Sequence, residues 1–169
     1  MLNIFNDLMP FIEDCYKEFG VREYSRLMKI SPPTASTLLK SYEEEGLLKM
    51  KKERGYFLFR ANRENDVLKG LSKIYWKERL KELLVYLNSE LYYPPVILFG
   101  SLTKLETKED SDIDLVLFTK FKKKLNLEIY EKQLKRKIQI FKFNSLSEIK
   151  NKELKTNIIN GYILQGELI

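Results

Sequence analysis

Apolar positions recur along this chain in two different rhythms. Between Leu2 and Phe19 they fall at Ile4, Phe5, Leu8, Phe11, Ile12, Cys15 and Phe19. That spacing predicts a helix, with Gly20 as its stop. A second short helix is expected over Arg22–Met28, with Tyr24, Leu27 and Met28 inward. Ser31 followed by Pro32 reads as an N-cap and first helical residue. The helix it opens runs to about Glu45, where Gly46 ends it. One face carries Ala35, Leu38 or Leu39, and Tyr42; the other carries Thr34, Ser36, Thr37, Lys40 and Ser41. Leu47–Lys52 and Tyr56–Arg60, around Glu53-Arg54-Gly55, read as a hairpin. Asn65 or Asp66 caps a long helix expected to reach Leu91. Its apolar stripe is Val67, Leu71, Ile74, Leu80, Leu83, Leu84, Leu87 and Leu91. Such a stripe packs on a neighbouring domain or forms a dimer seam. Tyr75 and Trp76 read as core or interface anchors. Pro94-Pro95 then ends helical structure.

From Val96 the rhythm changes. Val96–Phe99 is an apolar run of the kind found in buried strands, and Gly100-Ser101 breaks it. Ten residues later, after Leu102–Ser111, Asp112-Ile113-Asp114 leads into a second apolar run, Leu115–Phe118. Residues two apart on a strand share a face, so Asp112 and Asp114 project together. Adjacent carboxylates repel each other unless a cation lies between them, and a hard ion such as Mg²⁺ prefers oxygen ligands. Gly100 lets backbone approach a phosphate closely. A helix starting at Ser101 would turn free N–H groups toward that anion. Beyond Phe118 the pattern predicts a helix over Leu125–Lys137, a strand over Lys137–Phe143, a helix over Ser147–Asn160 and a glycine-flanked apolar segment, Gly161–Gly166.

Composition narrows the chemistry. The chain has 169 residues, 44% of them hydrophobic, enough for one full domain or two small ones. No apolar run approaches a membrane span, and Met1-Leu2-Asn3 does not begin a signal peptide. Cys15 is the one cysteine, expected to be buried, and fits a reducing cytoplasm. Histidine is absent, which excludes the commonest general base and argues against zinc. Net charge is +6. Lys49, Lys51, Lys52, Arg54, Arg60 and Arg63 are opposed within their own stretch by Glu53. A second cluster is Lys120, Lys122, Lys123 and Lys124.

Gly100-Ser101, ten residues and Asp112-x-Asp114 resemble the signature of the minimal nucleotidyltransferases, within the superfamily of DNA polymerase beta. The resemblance covers about residues 92–169. It implies that Asp112 and Asp114 are catalytic residues that hold Mg²⁺. It also implies that Gly100, Ser101 and Lys104 contact a nucleoside triphosphate. Residues 1–62 are similar to the winged helix-turn-helix of bacterial and archaeal regulators. The similarity runs through the Ser-Pro-Pro-Thr start, the Glu-Glu-Gly-Leu end and the basic hairpin. Here Thr34, Ser36, Thr37 and Lys40 would face a DNA major groove, and Lys51, Lys52 and Arg54 would hold phosphates of double-stranded DNA.

The expected fold is α+β. An N-terminal winged helix-turn-helix (1–62) is followed by a long connecting helix (63–91) and a small nucleotidyltransferase-like mixed sheet with flanking helices (92–169). One departure from the family matters. Its third carboxylate would stand between Ile138 and Ile140, where this chain has Gln139. An amide takes no proton. Glu128 and Glu131 on the preceding helix are candidate substitutes, although nothing in the sequence places them there. Two function classes therefore stand open. One is Mg²⁺-dependent transfer of a nucleoside monophosphate to a hydroxyl. The other is a catalytically impaired, DNA-binding regulator that senses a nucleotide or acts as the antitoxin-type partner of a helical toxin protein. Either would be a cytoplasmic protein. A seam on the long helix would make it a homodimer.

Overall fold

A computed structural model describes residues 3–167; Met1 and Leu2, with the expected start of the first helix and the leader expectation, lie outside the described residues. The chain divides into two compact units, Met1–Ser72 with Leu105–Glu109, and Lys73–Lys104 with Asp110–Ile169. Helices are combined with two sheets, so the class is α+β. No helix among the described residues is long and apolar enough to cross a membrane.

In the first unit, α1 (Asn3–Glu13), α2 (Val21–Met28) and α3 (Pro32–Glu44) accompany a three-stranded antiparallel sheet. Its strands are β1 (Phe19–Gly20), β2 (Leu48–Glu53) and β3 (Tyr56–Ala61), in the order β1-β3-β2. The first helix stops earlier than its apolar spacing predicts. Asp14 Oδ1 accepts from the amides of Tyr16 and Lys17 (3.0 and 3.1 Å), a local turn that competes with helix. The Cys15 amide donates to Thr107 O. Phe19 and Gly20 then pair with Phe59 and Leu58. Cys15 and Phe19 are buried as expected, but from a turn and a strand. Leu27, expected inward, is 49% exposed, and Leu39 rather than Leu38 enters the core. Ser31 caps α3 through the Thr34 amide (3.3 Å). The hairpin turns at Arg54 and Gly55, both at positive φ (48° and 84°), the two-residue geometry that matches strand twist.

The expected long helix is two, α4 (Asp66–Arg79) and α5 (Lys81–Leu91). Leu80 separates them at φ −90°, ψ 1°, although its amide and carbonyl keep the bonds to Trp76 O and the Leu84 amide. Asn65 supplies the cap, accepting from the Leu68 amide. The buried face of α4 is Leu68, Ser72, Tyr75 and Trp76, one residue out of phase with the predicted stripe; Val67 and Ile74 face solvent. On α5, Leu83, Leu87 and Leu91 are buried within the chain, so these leucines do not present an open seam to a second copy.

The second unit is built on a four-stranded mixed sheet of order β6-β5-β4-β7. The strands are β4 (Val96–Phe99), β5 (Ile113–Phe118), β6 (Ile138–Phe143) and β7 (Tyr162–Gln165). Strands β5 and β6 run parallel and the other pairs antiparallel. The single-turn α6 (Ser101–Lys104) follows β4, and α7 (Glu128–Leu134) precedes β6. The last predicted helix starts later than expected, as α8 (Lys152–Ile159) capped by Asn151, after a 3₁₀ turn at Leu146–Glu148. One sheet face packs Ile97, Phe99 and Val116 on Ile149 and Ile158, with Phe118, Phe141 and Leu154 around them. Gly161 is required here: a Cβ would lie 2.6 Å from Ile97 Cγ2 and 2.7 Å from Leu98 O.

Burial pushes the Cys15 thiol up to about 11, against hydrogen bonding from Thr107. The thiol of the unfolded chain ionises near 9.0. Between those values the native state keeps a proton that the unfolded state loses, so stability falls as pH rises from about 9 through about 11. Tyr24 and Tyr42, raised chiefly by burial, act in the same direction at higher pH. Cys15→Ala should flatten this part of a denaturation-midpoint profile. Alkylation of Cys15 at pH 8 should be slow in the native protein and fast in denaturant. Equal labelling rates in the two states would contradict a buried thiol.

Candidate functional site

Antiparallel pairing of β4 with β5 sets Phe99 opposite Asp114. The residue after Phe99 is Gly100, at φ 77°, a backbone conformation that costs an L-residue roughly 1–2 kcal/mol. Space is the stronger demand. A Cβ on Gly100 would sit 2.5 Å from Asp114 Oδ2, so only a bare Cα lets that carboxylate lie where it does. Ser101 opens α6 half-buried, and Thr103 ties the turn back through its hydroxyl to Gly100 O (2.9 Å).

Asp114 lies on β5 and Asp112 just before its first residue, both partly exposed. Burial, then the charge of Asp112, raises the Asp114 carboxyl above its ordinary value. Parallel pairing places Gln139 beside Asp114. Its amide Nε2 donates to Asp112 Oδ2 at 2.5 Å. The third position thus holds a hydrogen-bond donor bound to the first carboxylate. Among the described residues no group of three or more His, Cys, Asp or Glu side chains is placed to hold a metal ion. The substitutes stand elsewhere: Glu131 Oε1 accepts from the Ile138 amide (2.9 Å), and Glu128 is an exposed residue of the first turn of α7. Lys104 Nζ donates to Asn157 Oδ1 on α8 (3.0 Å), so its ammonium is engaged away from the acid pair.

The start of β5 is clasped from the α7–β6 turn. Arg136 Nη1 donates to Ser111 O (2.8 Å), and the Ile113 amide donates to Lys137 O (2.9 Å). These bonds bracket Asp112. Arg136 is 8% exposed and lies over the Trp76 ring at 5.2 Å. Its one faint signal along the chain is a basic residue placed just before a strand, between two exposed lysines.

A family model, polymerase beta nucleotidyltransferase, matches residues 81–166, just over half of the chain. The chain belongs to this family. No curated protein and no solved structure matches it. The nucleotidyltransferase match contains Gly100, Ser101, Asp112, Asp114 and Gln139 and leaves residues 1–80 outside it.

In that first unit the expected DNA-facing residues differ in availability. Thr34, Thr37 and Lys40 are exposed on α3, and Ser36 is partly so. Thr34 shares a hydroxyl hydrogen bond with Ser31 (2.8 Å), and Thr37 donates its own to Pro33 O. Lys40 and Lys52 flank the Phe57 ring at 6.0 and 5.9 Å, and Arg54 is exposed at the hairpin tip. Lys51 is committed elsewhere. Its Nζ lies 2.6 Å from Glu18 Oε2 and 3.0 Å from Glu53 Oε2, and those hydrogen bonds raise its pKa.

The acid pair costs stability near neutral pH. A carboxyl raised in the native state is more readily ionised in the unfolded chain, so stability falls as pH rises from the ordinary 3.8 through the native value. Asp112→Asn keeps an oxygen for Gln139 and removes the repelling charge. Its melting temperature at pH 7 should match or exceed that of the parent, while Gly100→Ala should melt lower. A sharp drop on Asp112→Asn would refute the repulsion.

Proposed function

We propose that this nucleotidyltransferase binds a nucleoside triphosphate together with one Mg²⁺ at Asp112 and Asp114, transfers its nucleotidyl group slowly or not at all, and carries a DNA-binding winged helix as its first unit. The observation that carries this reading is the Gln139 amide donating to Asp112 Oδ2. Two carboxylates on one face, one of them already short of compensation for its charge, are a donor set for a single hard cation. The third carboxylate of a two-metal site is missing, and the amide in its place is a poorer cation ligand. When bound, the cation would neutralise triphosphate oxygens.

The chain's own contributions follow from its residues. Gly100 keeps the backbone low beneath the acid pair, and Ser101 offers a hydroxyl and an amide to phosphate. Asp112 and Asp114 hold the cation. Gln139 orients Asp112 but takes no proton from an attacking hydroxyl. Loss of a positioned base costs typically about 10²–10⁴ in rate. Lys104 has one of its three N–H groups on Asn157. A nucleotide-sensing regulator therefore fits better than an efficient transferase.

Titration with a fluorescent nucleoside triphosphate should show Mg²⁺-dependent binding that Asp112→Asn abolishes. Incubation with labelled triphosphate and candidate acceptors should show little label transfer, and Gln139→Asp should raise it. Rapid transfer by the parent chain, abolished by Asp112→Asn, would sink the impaired-enzyme reading. Absence of Mg²⁺-dependent binding would sink the site itself.

The winged-helix reading rests on the order α1, β1, α2, α3, β2, β3 and on the exposed basic hairpin beside α3. Thr34, Ser36, Thr37 and Lys40 would meet the major groove, and Lys52 and Arg54 the phosphates. Duplex binding should weaken steeply with salt. Lys52→Ala with Arg54→Ala should lower the log–log salt slope by about 0.9 for each phosphate no longer neutralised. Lys51→Ala should change it less, because Glu18 and Glu53 already balance that charge. Thr37→Ala or Lys40→Ala should weaken a preferred sequence more than others. No duplex binding by the parent at low salt would end this reading.

A further inference from the structure

A patch on the second unit carries aromatic rings and lysines that neither role above uses. Tyr92 and Tyr93 follow α5 at φ 56° and 57° and are 75% and 78% exposed. Phe121 is 49% exposed, and its ring lies 5.2 Å from that of Tyr92. Lys120, Lys122 and Lys124 are exposed on the same loop and make no ion pair among the described residues. The loop is built rather than loose. Lys123 pairs with Glu90 (2.5 Å), Lys142 donates to Lys123 O (2.5 Å), and the Asn126 amide donates to Tyr86 OH (2.9 Å). The loop that carries the remaining lysines and Phe121 is thereby tied to its surroundings.

The patch is remote from the acid pair. Tyr92 and Tyr93 precede β4, and the Phe118 amide at the end of β5 donates to Pro95 O (3.1 Å). Asp112 and Asp114 stand at the opposite ends of these strands, on the order of 10 Å away along β4. Two of the three rings are tyrosines set among lysines, a surface too polar to enter the hydrocarbon core of a bilayer. Exposed rings together with the exposed lysines of the Phe121 loop fit a ligand that offers flat π-systems and regularly spaced anions together.

We propose that Tyr92, Tyr93 and Phe121, with Lys120, Lys122 and Lys124, bind single-stranded nucleic acid, its bases stacked on the rings and its phosphates on the lysines. Stacking on an aromatic ring does not read the base, so recognition tolerates sequence.

The test uses the full chain carrying Lys52→Ala and Arg54→Ala, which weakens any contribution from the hairpin. Anisotropy of labelled oligoadenylate and oligodeoxyadenylate of about 12 nucleotides, within the usual site size of such surfaces, reads the affinity. Both strands should bind. Tyr92→Ala with Tyr93→Ala should weaken binding about tenfold or more, while Tyr92→Phe with Tyr93→Phe keeps the rings and most of the affinity. Lys122→Ala with Lys124→Ala should lower the salt slope by about 0.7 for each phosphate no longer neutralised. Duplex binding by the parent should survive Tyr92→Ala with Tyr93→Ala, which separates this proposal from the winged-helix reading. Oligonucleotide binding unchanged in the alanine pair, abolished equally in the phenylalanine pair, or replaced by binding to phosphatidylserine vesicles alone would overturn the proposal.

Discussion

The contact between the Asp114 carboxylate and the bare Cα of Gly100 fixes the geometry of the second unit's candidate site. It exists because β4 and β5 pair with Phe99 opposite Asp114, and a side chain at residue 100 would displace that carboxylate. Asp112 stands two residues earlier, just before β5, and burial, then its charge, raises the proton affinity of Asp114. The bonds from Arg136 and Lys137 hold the approach to the strand, and Gln139 binds the outer carboxylate. Each of these depends on β5 entering the sheet in one register.

The first unit distributes its charge differently. Its hairpin is rich in lysine, yet charge and availability do not coincide. Lys49 is paired with Glu64 and Lys51 with Glu18 and Glu53, whereas Lys52 lies beside an aromatic ring. Exposed pairs contribute little stability, typically about 0–1 kcal/mol. Their larger effect is to commit Lys49 and Lys51, while Lys40, Lys52, Arg54 and Arg60 are exposed outside those pairs.

Local rules made much of this readable. The Ser31-Pro32 cap, the Arg54-Gly55 turn, the Gly100 break and the period-2 placement of Asp112 and Asp114 are written in neighbouring residues. What escaped was set by partners far along the chain. The two-residue strand at Phe19 exists through pairing with Phe59. The Asp14 turn overrode the helical spacing that linked Phe11 and Ile12 to Cys15 and Phe19. The interruption at Leu80 left α4 with Leu68 and Ser72 inward in place of Val67 and Leu71. Lys104 and Lys51 looked like free cations because Asn157 and Glu18 lie 53 and 33 positions away. Arg136 was hidden by its companions, since nothing local distinguishes a buried arginine from the exposed lysines on either side.

Gln139 stands on an edge strand of the sheet, with its side chain outside the core. A one-residue slip of β6 would bring an isoleucine into its place and turn the apolar set outward, so the scaffold guards the position while staying nearly indifferent to which residue fills it. Fold and chemistry are thus under separate control here. Descendants of this chain can exchange an amide for an acid at that point, or lose the acid pair altogether, and still inherit the same sheet.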